Sequence, residues 1–301
     1  MKKLLFVFNP RSGKGRVKTH LFSVTDIFTK AGYIVTVYPT QRPEDCREII
    51  KGSGSSYDLV VVSGGDGTLN EAVGGMLSLP GESRRPIGYI PAGTMNDFAS
   101  SNSIPKTMPK AAEAIVNGKR VLYDTGELNG KDFIYVAAFG AFTDVSYDTP
   151  QNSKNIFGNM AYIIESIKRL PSIEEIHVSI KTAEGAEIDA DVFICLIVNS
   201  VSVAGFNFGE FYDIDTNDGV FEIILIPKTE NIIDIASVIA SIKNGEREKD
   251  GVRVISTSAA EITTDMPVRW TLDGEFGGET NTASFKVNHS AVEFIMNNGG
   301  K

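Results

Sequence analysis

The sequence predicts an α/β N-terminal domain, an open parallel sheet with helices on both faces, followed by a mainly antiparallel β-sandwich C-terminal domain with inserted helices. Three observations predict this. Strand-like and helix-like stretches alternate regularly as far as Lys119. Beyond that point short alternating apolar and polar runs dominate, several joined by hairpin signals. A chain of 301 residues is also longer than one small core requires.

The first strand is KKLLFVF (2–8), and a helical pattern covers Val17–Lys30, ended by Gly32. YIVTVYP (33–39) is the second strand, followed by a helix over Pro43–Lys51 with proline near its first turn. DLVVVS (58–63) is the third strand, with a helix from about Thr68 to Leu77, and IGYIP (87–91) is the fourth. In the second half, 121–139 holds two strand runs joined at Asn129-Gly130, and 176–200 turns near Glu184-Gly185. Further strands are expected at 221–227, 252–258, 268–276 and 283–296, with helices at Asn155–Leu170 and Ile232–Lys243. The expected division is 1–123 for a nucleotide-binding domain and 124–287 for a β-rich substrate domain. The C-terminal segment 288–301 is a candidate addition to the first.

Composition narrows the function. With 42% hydrophobic and 22% charged residues the chain reads as an ordinary soluble protein. A net charge of −9 argues against nucleic acid as the main partner. No apolar run reaches membrane-span length. The opening MKKLLFVFNP is too short for a signal peptide and ends in Asn-Pro, so a first strand is the better reading. Cys46 and Cys195 lie far apart without metal-ligand spacing, which suits a reduced cytoplasmic setting. Three histidines, His20, His177 and His289, argue against a zinc site or a histidine-based triad.

In an open parallel sheet, ligands bind beyond the carboxyl ends of the strands. Three segments end a strand and turn polar there: Asn9–Gly15 (NPRSGKG), Gly64–Thr68 (GGDGT) and Pro91–Phe98 (PAGTMNDF). Glycines admit a ligand to the backbone, and a helix beginning at Thr68 would direct its first N–H groups to an anion, phosphate above all. Asp66 contradicts a bare phosphate site and fits one that carries Mg²⁺, which takes carboxylate, water and phosphate oxygens. Asn9–Gly15 is not a Walker loop: its first glycine is missing, and Gly15 follows Lys14 where Ser or Thr should stand.

NPRSGKG (9–15), GGDGTLNE (64–71), PAGTMNDFA (91–99) and LDGE (272–275), in that order, resemble the bacterial diacylglycerol kinase and lipid kinase family. The resemblance spans nearly the whole chain. GGDGT alone is shared with NAD kinases and phosphofructokinases; the four together are specific. The resemblance implies that ATP contacts Asn9, Pro10, Arg11, Ser12, Gly13, Thr40, Gly65, Asp66, Gly67, Thr68, Leu69, Asn70, Glu71 and Thr94. It further implies a water-mediated network linking Asp66, Asp97 and Asp124 to a catalytic Mg²⁺. It places the proton acceptor for a lipid hydroxyl in the 272–275 segment. There Asp273 and Glu275, two apart in a strand-like stretch, would face the same way and share a proton; which of them is the base stays open. It also implies a structural Mg²⁺ held by the Asp218 side chain with main-chain oxygens of Asp215 and Val220. An EF-hand is excluded there, since Ile224 stands where the last glutamate should be.

The reaction so implied is ATP-dependent phosphorylation of diacylglycerol to phosphatidic acid in an interdomain cleft, within phospholipid metabolism. Alternatives are another lipid acceptor (phosphatidylglycerol or a sphingoid base), an NAD kinase, and a non-catalytic nucleotide-binding regulator. Lipid access would fall to Ile156, Met160, Ile163, Ile164 and Ile167 at helical spacing, with Lys168 and Arg169 at headgroups, and to the 137–147 segment. The expected partners are thus a lipid and, transiently, the inner face of the cell membrane; exposed strands leave a homodimer open.

Overall fold

In the computed structural model the described residues are 1–94, 96–140, 175–200, 202–203, 206–207, 215–227, 248–249 and 251–297. The helices expected at Asn155–Leu170 and Ile232–Lys243, and most of the expected 137–147 wall, lie outside them. Contacts divide the chain into one compact unit of Met1–Tyr123 with Ser290–Lys301, and a second of Asp124–His289.

The first unit is built on strands β1 (Lys2–Phe8), β2 (Tyr33–Pro39), β3 (Leu59–Gly64) and β4 (Ile87–Pro91), all parallel. The end of a long strand, β17 (Glu275–Met296), joins them, Phe294 pairing with Ile87. Their order is β17-β4-β3-β1-β2. Every residue of β3 is buried, as a strand covered on both faces must be. Helices α1 (Arg16–Lys30), α2 (Asp45–Ser53), α3 (Asp66–Leu77), α4 (Asp97–Ser101) and α5 (Met108–Asn117) complete the unit. Val17, Val24 and Phe28 form the buried stripe of α1. Phe98 on α4 packs against Tyr89, Tyr123 and Phe294, with ring centroids 6.0, 5.5 and 4.8 Å away. A five-residue helix is marginal alone, so this aromatic anchor fixes where α4 begins.

The second unit is antiparallel, as expected from the alternation. Its strands are β5 (Lys119–Leu128, entering from the first unit), β6 (Lys131–Phe133), β7 (Val136–Gly140), β8 (Ile176–Thr182), β9 (Glu187–Val192), β10 (Ile194–Val198), β13 (Phe221–Ile226), β15 (Val252–Thr257), β16 (Ala259–Leu272) and the first part of β17. Two-residue strands β11 (Ser202–Val203), β12 (Phe206–Asn207) and β14 (Glu248–Lys249) lie between them. Asn129 and Gly130 make the expected two-residue turn, with φ of 48° and 77°. Phe133, Phe221 and Phe285 meet in the core with centroids 5.7 to 6.1 Å apart. Phe139 stands edge-on to Trp270 at 4.8 Å.

Candidate functional site

The three polar segments of the first unit do converge, and glycine is the reason. Gly13 has φ +56°, and a Cβ there would strike the carbonyl oxygen of Ala92. A Cβ on Gly93 would come within 2.6 Å of the Gly65 Cα. The first and second turns thus each pack on the third at distances only glycine permits. Hydrogen bonds fasten the tips: Asn9 N–H to Ser63 O at 2.9 Å, Ala92 N–H to Gly64 O at 2.7 Å, and Thr40 N–H to Phe8 O at 2.9 Å. The 9–13 turn closes on itself, the Asn9 side-chain oxygen accepting from the Arg11 N–H at 2.9 Å and the Asn9 carbonyl from the Ser12 N–H at 3.2 Å. Arg11 and Thr94 are exposed, while Pro10, Ser12 and Thr40 are half-buried.

Asp66 has a role the sequence did not disclose. Helix α3 begins at Asp66, not at Thr68. The N–H groups of Thr68 and Leu69 already donate to Gly65 O at 3.0 and 3.1 Å. The donors that remain in this turn are that of Gly67, which has no intrahelical acceptor, and that of Asp66, which also bonds its own carboxylate. Leu69 is fully buried and Thr68 is buried against Gly64, so Leu69 can offer a ligand only its main chain. The Asp66 carboxylate accepts the N–H groups of Asp97 and Phe98, at 3.2 and 3.4 Å, and so caps α4. Asn96, the N-cap residue at φ 56°, makes no side-chain cap; it turns its amide back onto the Gly93 N–H and carbonyl, each at 2.9 Å. Burial raises the Asp66 carboxyl above the usual carboxylate range, and the N–H groups of Asp97, Phe98 and Asn96 oppose that only in part.

Glu71 also has protein partners. Its carboxylate accepts the N–H groups of Glu44 and Cys46, at 3.0 and 3.2 Å. It thereby holds the first turn of α2, whose N-cap Glu44 sits at φ 65° without a side-chain cap. Asn70 is half-buried and hydrogen-bonded. Tyr89, which sequence reasoning passed over, is buried and donates its hydroxyl to Gly64 O at 3.1 Å; an apolar strand gave no sign of it.

In the second unit the 272–275 segment departs from expectation. Leu272 pairs directly with Glu275, so Asp273 and Gly274 are the two turn residues, with φ 50° and 87°. Strand alternation does not apply across such a turn, and the same-face pairing of Asp273 and Glu275 is corrected. Asp273 is buried; Glu275 is exposed. The Asp273 carboxylate accepts three consecutive N–H groups, Ile134 at 2.7 Å, Tyr135 at 3.0 Å and Val136 at 3.1 Å.

Asp124 is not a turn residue but a fully buried one within β5. Its carboxylate is bonded to the Gly219 N–H at 2.7 Å and to His289 Nδ1 at 2.9 Å. Asp66 and Asp97 therefore meet in the first unit, and Asp124 belongs to the second. Near Asp124 the 215–220 loop folds through two short turns, Asp215 accepting from the Asn217 N–H and Asp218 from the Val220 N–H, both at 3.1 Å. Burial raises the Asp218 carboxyl, and the charges of Asp215 and Asp124 add to the rise.

The model of the diacylglycerol kinase catalytic domain matches residues 3–128. The chain is 33% identical over 282 residues to a diacylglycerol kinase of Bacillus subtilis, covering 92% of this chain and 91% of that one. It belongs to the diacylglycerol kinase family. A second member, from Staphylococcus carnosus, is 34% identical over 284 residues, with 92% and 90% covered. A solved diacylglycerol kinase structure from Bacillus anthracis has the same fold, with a TM-score of 0.81 at 22% identity, covering 99% of this chain and 97% of that one. The fold extends, at a TM-score of 0.51 and 10% identity, to yeast NADH kinase, covering 98% and 83%. Among the described residues no helix is long and apolar enough to cross a membrane.

Proposed function

We infer that this member of the family transfers the γ-phosphoryl group of ATP to the hydroxyl of diacylglycerol, forming phosphatidic acid for phospholipid metabolism. One observation carries the reading: three strand tips, locked together by Gly13 and Gly93, bring the half-buried Asp66 carboxylate onto the Asp97 and Phe98 N–H groups at the same rim. Phosphoryl transfer asks a protein mainly for positioning and charge neutralisation. The Asp66 and Gly67 N–H groups, the Ser12 hydroxyl and Arg11 supply donors and positive charge to the phosphates. Asn9, Pro10, Gly13, Thr40, Gly65 and Thr94 line the same tips, and Thr68, Leu69, Asn70 and Glu71 hold helix α3 in place beneath them.

A divalent cation fits the residues present. Asp66 is a desolvated oxygen donor whose ionised form is under-stabilised by its neighbours, and Mg²⁺ prefers such hard donors together with phosphate. Bound there, with Asp97 and Asp124 contributing through water, Mg²⁺ would neutralise charge on the β- and γ-phosphates. Asp218, whose carboxyl pKa burial raises and the charges of Asp215 and Asp124 raise further, is equally suited to a second ion, with the Asp215 and Val220 carbonyls as partners. This one would brace the loop.

For the proton of the lipid hydroxyl we favour Asp273 over Glu275. Three N–H donors hold the Asp273 carboxylate in one orientation. Glu275 has no such support in its exposed position. Phe276, 49% exposed beside them and overlaid by the Arg269 guanidinium at 5.5 Å, offers an apolar surface suited to the acceptor's acyl chain. Access from the cytoplasmic face of the membrane, with only transient attachment, completes the reading.

The test is an acceptor panel: protein, Mg²⁺ and labelled ATP with diacylglycerol, phosphatidylglycerol, sphingosine or NAD, and products identified by mass. Phosphatidic acid as the main product is expected. A phosphorylated product from another acceptor alone would reassign the substrate, and none at all would leave a nucleotide-binding regulator.

A further inference from the structure

His289 had no function in the sequence, yet it sits on the one buried aspartate of β5. Its Nδ1 lies 2.9 Å from Asp124 Oδ1. Gly219, at φ +83°, donates its N–H to the other oxygen, Oδ2, at 2.7 Å. Each carboxylate oxygen thus has its own donor, one from β17 and one from the 215–220 loop. The main chain of Asp124 is held as well, its N–H donating to Thr216 O at 2.9 Å and its carbonyl accepting from the Asn199 amide at 3.0 Å. The imidazole ring borders Gly219 too, for a Cβ there would meet His289 Nδ1 at 3.4 Å.

The partners differ in one respect. Asp124 is wholly buried, whereas the His289 side chain is 58% exposed. A half-exposed imidazole adds little to packing, and the backbone clamps on Asp124 would survive its loss. Among the described residues His289 supplies a donor to Oδ1. With its proton on Nδ1 the imidazole donates to the carboxylate. The chain also leaves the strand conformation just after it, at Ser290, φ 51°, which fixes where β17 presents the ring.

We propose that His289 is the positioning residue for Asp124: with Gly219 it holds the carboxylate in the single orientation from which it serves phosphoryl transfer. This rests on the lipid kinase reading above. A carboxylate that reaches a cation through water must keep its angle as well as its place, and outer donors of this kind commonly tune such sites ten- to a hundredfold.

The test compares wild type, H289A, H289N and D124N as full-length proteins. Asparagine can place its amide N–H near the position of Nδ1. In H289A, kcat for diacylglycerol phosphorylation is expected to fall about tenfold, with KM for ATP and Tm little changed, and H289N should recover most of the loss. The Gly219 amide proton, read by ¹H–¹⁵N spectroscopy without substrate or metal, should shift in H289A and return in H289N. An unmoved Gly219 resonance, an unchanged kcat in H289A, or no recovery in H289N would overturn the proposal. If wild type phosphorylates no lipid, the kinase reading fails instead, and the Gly219 resonance alone still decides whether His289 orients Asp124.

Discussion

Asp66 opens a helix and Asp273 sits in a two-residue turn, and the structure treats the two carboxylates in opposite ways. Asp66 receives two long N–H bonds, at 3.2 and 3.4 Å, and its acidity is weakened by burial. Asp273 receives three bonds of 2.7 to 3.1 Å from consecutive N–H groups. The first carboxylate is left wanting positive charge; the second is satisfied and held still. Holding a metal-bound triphosphate calls for the first kind, and pointing a base at a hydroxyl calls for the second.

The comparison can be broken most forcefully at Asp273. D273N places an amide N–H₂ against N–H donors, so stability should fall by about 3 kcal/mol, measured by urea denaturation, and phosphoryl transfer should be lost. E275Q should leave stability unchanged and most of the activity intact. A fully active D273N with an inactive E275Q would exchange their roles.

Next in size is Glu71. E71A frees two N–H groups in the first turn of α2, an expected cost of about 1–2 kcal/mol by the same method, with a smaller effect on the KM for ATP. A change in KM alone would restore Glu71 to direct nucleotide contact.

At Asp66 the sign reverses. Because folding raises the pKa of its carboxyl, the folded state holds that proton more tightly than the unfolded chain, and stability is lost as pH rises from the unfolded carboxylate range through the raised folded value. D66N removes that loss. Its Tm without Mg²⁺ should therefore exceed wild type by a margin that widens across this window and then stays constant. Added Mg²⁺ should stabilise wild type and not D66N, which should be inactive. A D66N variant less stable at neutral pH would contradict the contrast with Asp273. The smallest effect is expected at Phe276, where F276S should raise the KM for diacylglycerol severalfold in mixed micelles without altering that for ATP.

Much of this could be read in the sequence, and the remainder has a physical reason. The parallel strands, the Asn129-Gly130 turn and the meeting of three polar tips follow from local pattern and from the rule that ligands sit beyond strand ends. Helix α3 beginning at Asp66 was not visible, because Gly65 and Gly67 on either side of it mask helix propensity. That Asp66 caps α4 and Glu71 caps α2 could not be seen either, since each reaches an element distant in the chain. The same-face expectation for Asp273 and Glu275 failed because two turn residues in positive φ, Asp273 and Gly274, interrupt the alternation. His289 carried no local signal at all; its meaning comes from Asp124, at the other end of the second unit's sequence.

The most direct measurement is a structure with Mg²⁺ and a non-hydrolysable ATP analogue. It should show the triphosphate on the Asp66 and Gly67 N–H groups and the 9–13 turn, with the cation joined to Asp66 through water. A triphosphate bound away from these three tips, or a cation with no path to Asp66, would contradict the account.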